Sequence, residues 1–246
     1  MKKTKKASPK QYEIIFGIHP ILELLSAKRR RIYQLYTTKH TPKAFKQIER
    51  LLPDSTNINY VTKDVLARMA GTDDHQGIVA TTNSLPIRKK NFEPTKHPFL
   101  VLIDGVQDTR NLGGILRSAY CTGADGVILP QKNCAPLSGA TFKASAGLAE
   151  HLEIAHATTA YQAALELKKA GYTLYMAALG GENATKIDYQ QPLCVVIGNE
   201  ATGISRDLLK LGTRVMLPQR TSEISYNASV AAGILLFMVA TKSGSL

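Results

Sequence analysis

From Tyr12 onward, apolar residues recur in two rhythms: short continuous or alternating runs that read as strands, and longer stretches with helical spacing. In the first third of the chain the pattern predicts helices over 20–27, 42–52 and 63–70, and strands over 32–37, 58–61 and 78–82, a small α/β domain. Pro86, Pro94, Lys89, Lys90 and Lys96 mark 83–97 as a linker with few apolar anchors. Beyond it, 99–103 is wholly apolar, as expected of a parallel strand covered on both faces. Further strands are expected at 126–129, 151–154, 173–177, 193–197 and 213–217, separated by helical stretches at 113–122, 138–147, 160–170, 205–211 and 228–241. That spacing is the spacing of βαβ units, so the fold class is α/β with a mostly parallel sheet in the larger domain. The plan is a basic tail over 1–10 that has nothing to bury and is expected to be disordered, a small domain over 11–82, a linker over 83–97 and a larger domain over 98–246.

Three polar clusters interrupt the apolar pattern of the larger domain, each just after a predicted strand, where open α/β sheets place their sites. The first runs Asp108-Thr109-Arg110-Asn111-Leu112-Gly113-Gly114 and on to Arg117. Glycines between a strand and a helix let the backbone approach a ligand, and a helix start favours a phosphate. Arg117 offers a guanidinium fork suited to a backbone phosphate of RNA, although a surface arginine after an ordinary glycine-rich turn has the same letters. In the second cluster, Ile197-Gly198-Asn199-Glu200-Ala201-Thr202-Gly203, Gly198 ends a buried strand and frees backbone for a flat ligand. Glu200 either orients RNA or an arginine, or caps the helix that opens near Ser205. The third cluster leaves a strand at Leu217-Pro218 and reaches Ser225-Tyr226-Asn227-Ala228-Ser229 before an apolar helix. A cap needs one polar residue and three are present, while Ala231, Ala232 and Gly233 allow another element to pack closely.

Several chemistries are disfavoured. No Gly-x-Gly-x-x-Gly occurs and no Gly-Lys-Ser or Gly-Lys-Thr, which argues against a dinucleotide or ATP site. Asp104 and Asp108 have no nearby His or third carboxylate, so structural or substrate hydrogen bonding is the better reading than a metal pair. Cys121, Cys134 and Cys194 form no close pair and read as reduced thiols of a cytoplasmic protein. The basic start lacks the apolar run of a secretory signal, and the longest apolar stretch, 230–240, is too short to cross a bilayer as a helix.

Charge adds a partner. Residues 1–97 carry 19 Lys or Arg against 8 Asp or Glu, a net of +11, and residues 98–246 carry 12 against 11, a net of +1. A field of that sign gathers polyanions, and each neutralised phosphate releases counterions, so nucleic acid is the expected partner.

The three clusters resemble the three motifs of the SpoU or TrmH-type RNA 2′-O-ribose methyltransferases of the SPOUT superfamily. Phe16-Gly17-Ile18-His19-Pro20 and His75-Gln76-Gly77-Ile78 are similar to the ends of that family's L30e-like RNA-binding domain. Lys143-Ala144-Ser145-Ala146-Gly147 through Glu150-His151-Leu152 is similar to the segment between its first two motifs. The layout is most similar to the bacterial 23S rRNA guanosine 2′-O-methyltransferase group. The resemblance implies a deep trefoil knot in the C-terminal domain, a homodimer through that domain, no metal, and S-adenosylmethionine held largely by backbone at Gly198, Leu217 and Tyr226. It places the catalytic arginine on Arg117, the other site residues on Asn111, Glu200, Ser225 and Asn227, and the substrate in RNA, a guanosine of 23S rRNA. Three positions depart from the pattern: Thr109 stands for a proline, Tyr226 for a leucine and Ala228 for a valine, and Tyr226 adds bulk beside the adenosyl pocket. The alternatives are a tRNA 2′-O-methyltransferase of the same family and a noncatalytic RNA-binding or ribosome-assembly protein.

Overall fold

The computed structural model describes residues 12–221 and 225–246 of the 246-residue chain, so the tail expected over 1–10 lies outside the described residues. The chain divides into two compact units, Met1–Leu85 and Pro86–Leu246.

The first unit runs β1 (Glu13–Phe16), α1 (Ile18–Ala27), β2 (Ile32–Thr37), α2 (Phe45–Leu51), β3 (Asn57–Tyr60), α3 (Lys63–Ala70) and β4 (Ile78–Thr82). Its sheet has the order β1-β4-β2-β3, with β4 antiparallel to both neighbours and β2 parallel to β3. Ile21, Leu24, Leu35, Ile48, Leu66 and Ile78 are fully or almost fully buried, as the apolar spacing predicts, and Ile15 of β1 is buried with them. The four-residue β1 was not among the expected strands. It is held by pairing with β4, a long-range contact that local periodicity does not record. The two segments that carry the resemblance in this unit meet: the Gly17 amide donates to the Ile78 carbonyl at 3.2 Å and the Ile18 amide to Gln76 Oε1 at 3.0 Å.

The second unit runs β5 (Phe99–Asp104), α4 (Thr109–Cys121), β6 (Gly126–Pro130), α5 (Gly139–Ala144), β7 (Ile154–Ala157), α6 (Ala160–Ala170), β8 (Thr173–Asn183), β9 (Leu193–Gly198), α7 (Arg206–Leu209), β10 (Thr213–Met216) and α8 (Ala228–Ser243). Its six strands, in the order β10-β8-β9-β5-β6-β7, are parallel throughout. The central strands β5 and β9 are buried along nearly their whole length, so both faces of the sheet are covered. Asp104 and Gly198 are register neighbours at the carboxyl ends of those two strands. The strand expected at 151–154 begins at Ile154 instead, because Leu148–His151 closes a short 3-10 turn in which Glu150 is buried.

The stretch 83–97 is not a free linker. Leu85 is buried with the first unit, and 86–97 packs on the second. Arg88 pairs as a parallel bridge with Ala155, its amide donating to the Ile154 carbonyl at 2.7 Å, and its guanidinium lies 4.7 Å over the Phe92 ring. Phe92 joins the core cluster that holds Leu100, Ile128 and Ala163, filling the space beside Gly126 where a Cβ would lie 2.3 Å from the ring. One aromatic anchor and one backbone bridge fix a segment whose composition otherwise reads as solvent-exposed.

Candidate active site

The carboxyl ends of β5, β9 and β10 bring the three polar clusters to one edge of the sheet. Asp108 ends the loop after β5 and caps α4, accepting from the Arg110 amide at 2.8 Å. Helix α4 therefore starts at Thr109, and Asn111 sits in its first turn, nearly buried. Asn111 Nδ2 donates to Glu200 Oε1 at 2.9 Å, and Asn227 Nδ2 donates to Asn111 Oδ1 at 3.0 Å. Asn227 Oδ1 in turn caps α8, accepting from the Ser229 amide at 3.0 Å, Ser229 Oγ at 2.6 Å and the Val230 amide at 3.4 Å. One hydrogen-bonded chain thus joins all three clusters and fixes which way each amide points.

Glu200 also faces the start of α4, at 3.5 Å from the Gln107 and Asp108 amides, where the helix dipole favours a negative charge. Burial works to raise its pKa, but the hydrogen bonds from Asn111 and from backbone amides outweigh it and hold the carboxyl below its ordinary value. Glu200 is an anion at neutral pH, an acceptor only, and is fixed in place as one.

Beside this chain lies a cavity of about 350 Å³ lined by Gly198, Glu200, Thr202, Leu217, Ser225 and Tyr226, among others, with Ile204, Ala231 and Leu235 forming its apolar wall. Its size and its mixture of an apolar wall with a few polar groups suit a small organic ligand. Gly198, Leu217 and Tyr226 all line it, as do Glu200 and Ser225. Asn111 and Asn227 stand in the relay behind Glu200. Arg117 is brought to neither place: it is exposed on α4, six residues and about 9 Å of helix rise beyond Asn111.

Two glycine readings change. The helix expected from residue 113 starts at Thr109 instead, capped by Asp108, so Gly113 and Gly114 lie in the body of α4 and not at its opening turn. A Cβ at 113 would stand 2.4 Å from Ala144 Cβ and 2.7 Å from the Thr141 carbonyl, and one at 114 would stand 2.9 Å from Ser229 Cβ. These glycines let α5 and α8 close on α4 and do not cradle a phosphate. Gly198 is likewise required by its own loop, since a Cβ there would meet Gly203 and Ile204 backbone at 2.4 Å, although the residue still lines the cavity.

Asn199 carries a structural part that the cluster's composition did not assign. Its Nδ2 donates to the Gly105 carbonyl at 2.6 Å, while its Oδ1 accepts from the amides of Ala201 and Thr202 at 2.9 and 3.0 Å, tying the β9 loop to the β5 loop. Asp104 adds a second tie through the Ser205 amide at 2.8 Å. Asp108 and Asp104 thus hold backbone amides, and no group of three potential metal ligands occurs among the described residues. The cavity's far wall, Ala177 to Leu179, lies at and beyond the end of the strand expected over 173–177. Strand β8 instead continues, with 177–181 looped out between Met176, paired to Arg214, and Glu182, paired to Val215.

With this geometry in view, comparisons with known proteins place the chain. A model of the SpoU rRNA methylase family matches residues 98–237, and one for RNA 2′-O ribose methyltransferase substrate binding matches residues 14–87. The chain belongs to the SpoU rRNA methylase family. It is 31% identical to the Bacillus subtilis protein YacO, assigned to the TrmH family of tRNA/rRNA methyltransferases, over 94% of this chain and 96% of that one. It is 32% identical to the 23S rRNA (guanosine-2′-O-)-methyltransferase RlmB of Shewanella oneidensis, over 93% of this chain and 96% of the relative. Among solved structures, an RNA 2′-O ribose methyltransferase superposes with a TM-score of 0.83 at 21% identity, covering 95% of this chain and 89% of the other. AviRb of Streptomyces viridochromogenes, solved in complex with AdoMet, superposes with a TM-score of 0.79 at 21% identity over 94% and 90% of the two chains. At that identity the structural likeness establishes the fold.

Proposed function

We propose that the protein transfers a methyl group from S-adenosylmethionine to a ribose 2′-hydroxyl of RNA, with a guanosine of 23S rRNA as the target. The observation that carries the reading is the hydrogen-bonded chain Glu200-Asn111-Asn227 standing beside the cavity in a chain of the SpoU family. The cavity fits the cofactor's chemistry: backbone at Gly198 and Leu217 would hold the adenosyl end, the apolar wall would take its aliphatic part, and Glu200 would offer an anion to the positively charged sulfonium. Once bound, the cofactor supplies a methyl already activated toward in-line transfer.

The protein's own residues must then align the ribose oxygen, and the proton of its hydroxyl must be removed. Arg117 is assigned to the 2′-hydroxyl and the adjacent phosphate, with Asn111, Glu200, Ser225 and Asn227 placing the RNA and the arginine. An arginine is seldom a base, so relay of the proton through the neighbouring phosphate is the simpler route, and no metal is needed. Arg117's place away from the cavity of its own chain fits a site built from two protomers. A homodimer through the second unit has further support in α8, where Val230, Ile234 and Phe237, spaced along one face, are 49%, 38% and 58% exposed. The trefoil knot, the L30e-like character of 11–82, the methyltransferase domain over 98–246 and a cytoplasmic location belong to the same reading and rest on family membership.

The guanosine target rests on the similarity to RlmB over nearly the full length of both chains. Incubation of the purified protein with the cofactor and with rRNA or tRNA, followed by nuclease digestion and mass spectrometry, is expected to yield 2′-O-methylguanosine from 23S rRNA. A methylated base would overturn the reaction, and methylation of tRNA alone would move the target. Cofactor binding without transfer to either RNA would favour the noncatalytic alternative.

A further inference from the structure

The sequence Lys28-Arg29-Arg30-Arg31 joins α1 to β2, and its four cations do not share one role. The Arg30 side chain is fully buried: it pairs with Glu13 Oε2 at 2.6 Å and donates to the Asn83 carbonyl at 2.9 Å and to Thr82 Oγ1. The Arg31 amide donates to Asn83 Oδ1 at 2.6 Å. This loop is therefore clamped to the start of β1 and to the residues after β4. A charged group held at both ends by partners is a rigid strut, so the side chain that follows it is presented from a fixed backbone.

That side chain is Arg31, exposed, with its guanidinium 5.8 Å over the ring of Tyr33. Tyr33 sits where the β2–β4 register shifts, and its ring meets Tyr12 edge-on, centroids 5.0 Å apart. Tyr12 is 50% exposed, a large ring on the surface of a strongly basic unit. Glu13, the carboxylate next in sequence to Tyr12, is already paired with Arg30, so it does not oppose a polyanion there.

We propose that Tyr12, Tyr33 and Arg31 form a stacking platform for an unpaired nucleobase of RNA, with Tyr12 taking the base, Tyr33 bracing it and Arg31 holding the flanking phosphate. Exposed aromatic rings interleaved with guanidinium groups are the chemistry that single-stranded nucleic acid uses, since every base has a π-face and every linkage a charge. The proposal deepens the RNA-methyltransferase reading by naming how the first unit grips its substrate.

The test uses the full-length protein and two probes of equal charge: a short oligoadenylate and the same backbone carrying abasic sites. Wild type is expected to bind the oligoadenylate more tightly, by about fivefold or more. Tyr12→Ala should abolish that preference without changing affinity for the abasic strand, while Tyr12→Phe keeps it. Arg31→Ala should weaken both probes alike and flatten the salt dependence by about one phosphate. Tyr12 precedes β1 and lies outside the core, so its loss should not disturb folding, and Tyr33→Ala provides the second variant. Equal affinity of wild type for the two probes, or a base preference that survives Tyr12→Ala and Tyr33→Ala, would overturn the platform. Cofactor binding and methyl transfer to rRNA, measured on the same variants, are separate readouts: intact transfer by wild type with no base preference sinks the platform alone.

Discussion

Asn227 and Arg117 should fail in opposite ways when replaced, because Asn227 holds the three clusters together whereas Arg117 is exposed and, in the proposed reaction, acts on the RNA. Asn227→Ala removes the cap of α8 and leaves Asn111 Oδ1 without its donor in a nearly buried place. The missing cap costs about 1 kcal/mol and the orphaned acceptor about as much again. The expected result is a melting temperature lower by roughly 4–8 °C in a unit of this size, with reduced turnover as a consequence. Arg117 is exposed and makes no tie in the relay, so Arg117→Ala should melt like wild type. Its kcat should fall by about a hundredfold or more, with cofactor affinity nearly unchanged, as for a group that acts on charge in the transition state. Calorimetry of melting and of cofactor binding, together with single-turnover rates, separates the two. An Arg117→Ala variant with near-normal kcat would take the residue out of the chemistry.

At the scale of elements, Gly113 decides how closely α4 and α5 pack. Its missing Cβ would stand 2.4 Å from Ala144 Cβ and 2.7 Å from backbone, neither of which is the far end of a flexible side chain. Gly113→Ala, favourable for an isolated helix by about 1 kcal/mol, is therefore expected to destabilise the protein by about 1–3 kcal/mol in chemical denaturation. A stabilised variant would mean that α5 moves freely, and the close packing would lose its significance. This position also explains what was legible in the sequence. Strands such as β5 and β9 were readable because burial on both faces leaves an unbroken apolar run, and α6 and α3 because their periodicity ends at Gly171 and Gly71. The start of α4 was not, because glycines normally signal a loop, and the close packing of Ala144 and Ser229 that calls for them comes from elements distant in sequence. The same blindness to distant partners hid β1, the looped-out 177–181 and the Asn199 tie. The site's polar residues were legible as three clusters, but their joining through Asn111 depends on register between strands far apart in sequence.

For the whole molecule, the place of residues 86–97 redistributes both stability and charge. With the boundary after Leu85, residues 1–85 carry 15 Lys or Arg against 7 Asp or Glu, a net of +8, and residues 86–246 carry 16 against 12, a net of +4. Arg88, Lys89, Lys90 and Lys96 thus travel with the second unit. A fragment of residues 98–246 would lose Phe92 from the core beside Gly126, a loss of about 3–5 kcal/mol by analogy with large aromatic truncations, and would lose Arg88 from the edge of β7. The fragment 86–246 keeps both. It is therefore expected to fold, dimerise and bind cofactor, whereas 98–246 should melt far lower or aggregate. RNA affinity of 86–246 should be weaker than that of the full chain, and its dependence on salt shallower, since the larger share of the net charge has been removed. The slope should remain well above zero, because a net of +4 with exposed Lys89 and Lys90 still meets phosphate. Salt titrations of RNA affinity for the full chain and for 86–246, with sedimentation to establish that each is folded, measure the division directly. Equal slopes would place the phosphate contacts on the second unit and leave the +8 of the first without a role in binding. A slope near zero for 86–246 would instead assign those contacts to the first unit alone, and Lys89 and Lys90 would then be a solvated edge of the sheet and no part of the RNA path.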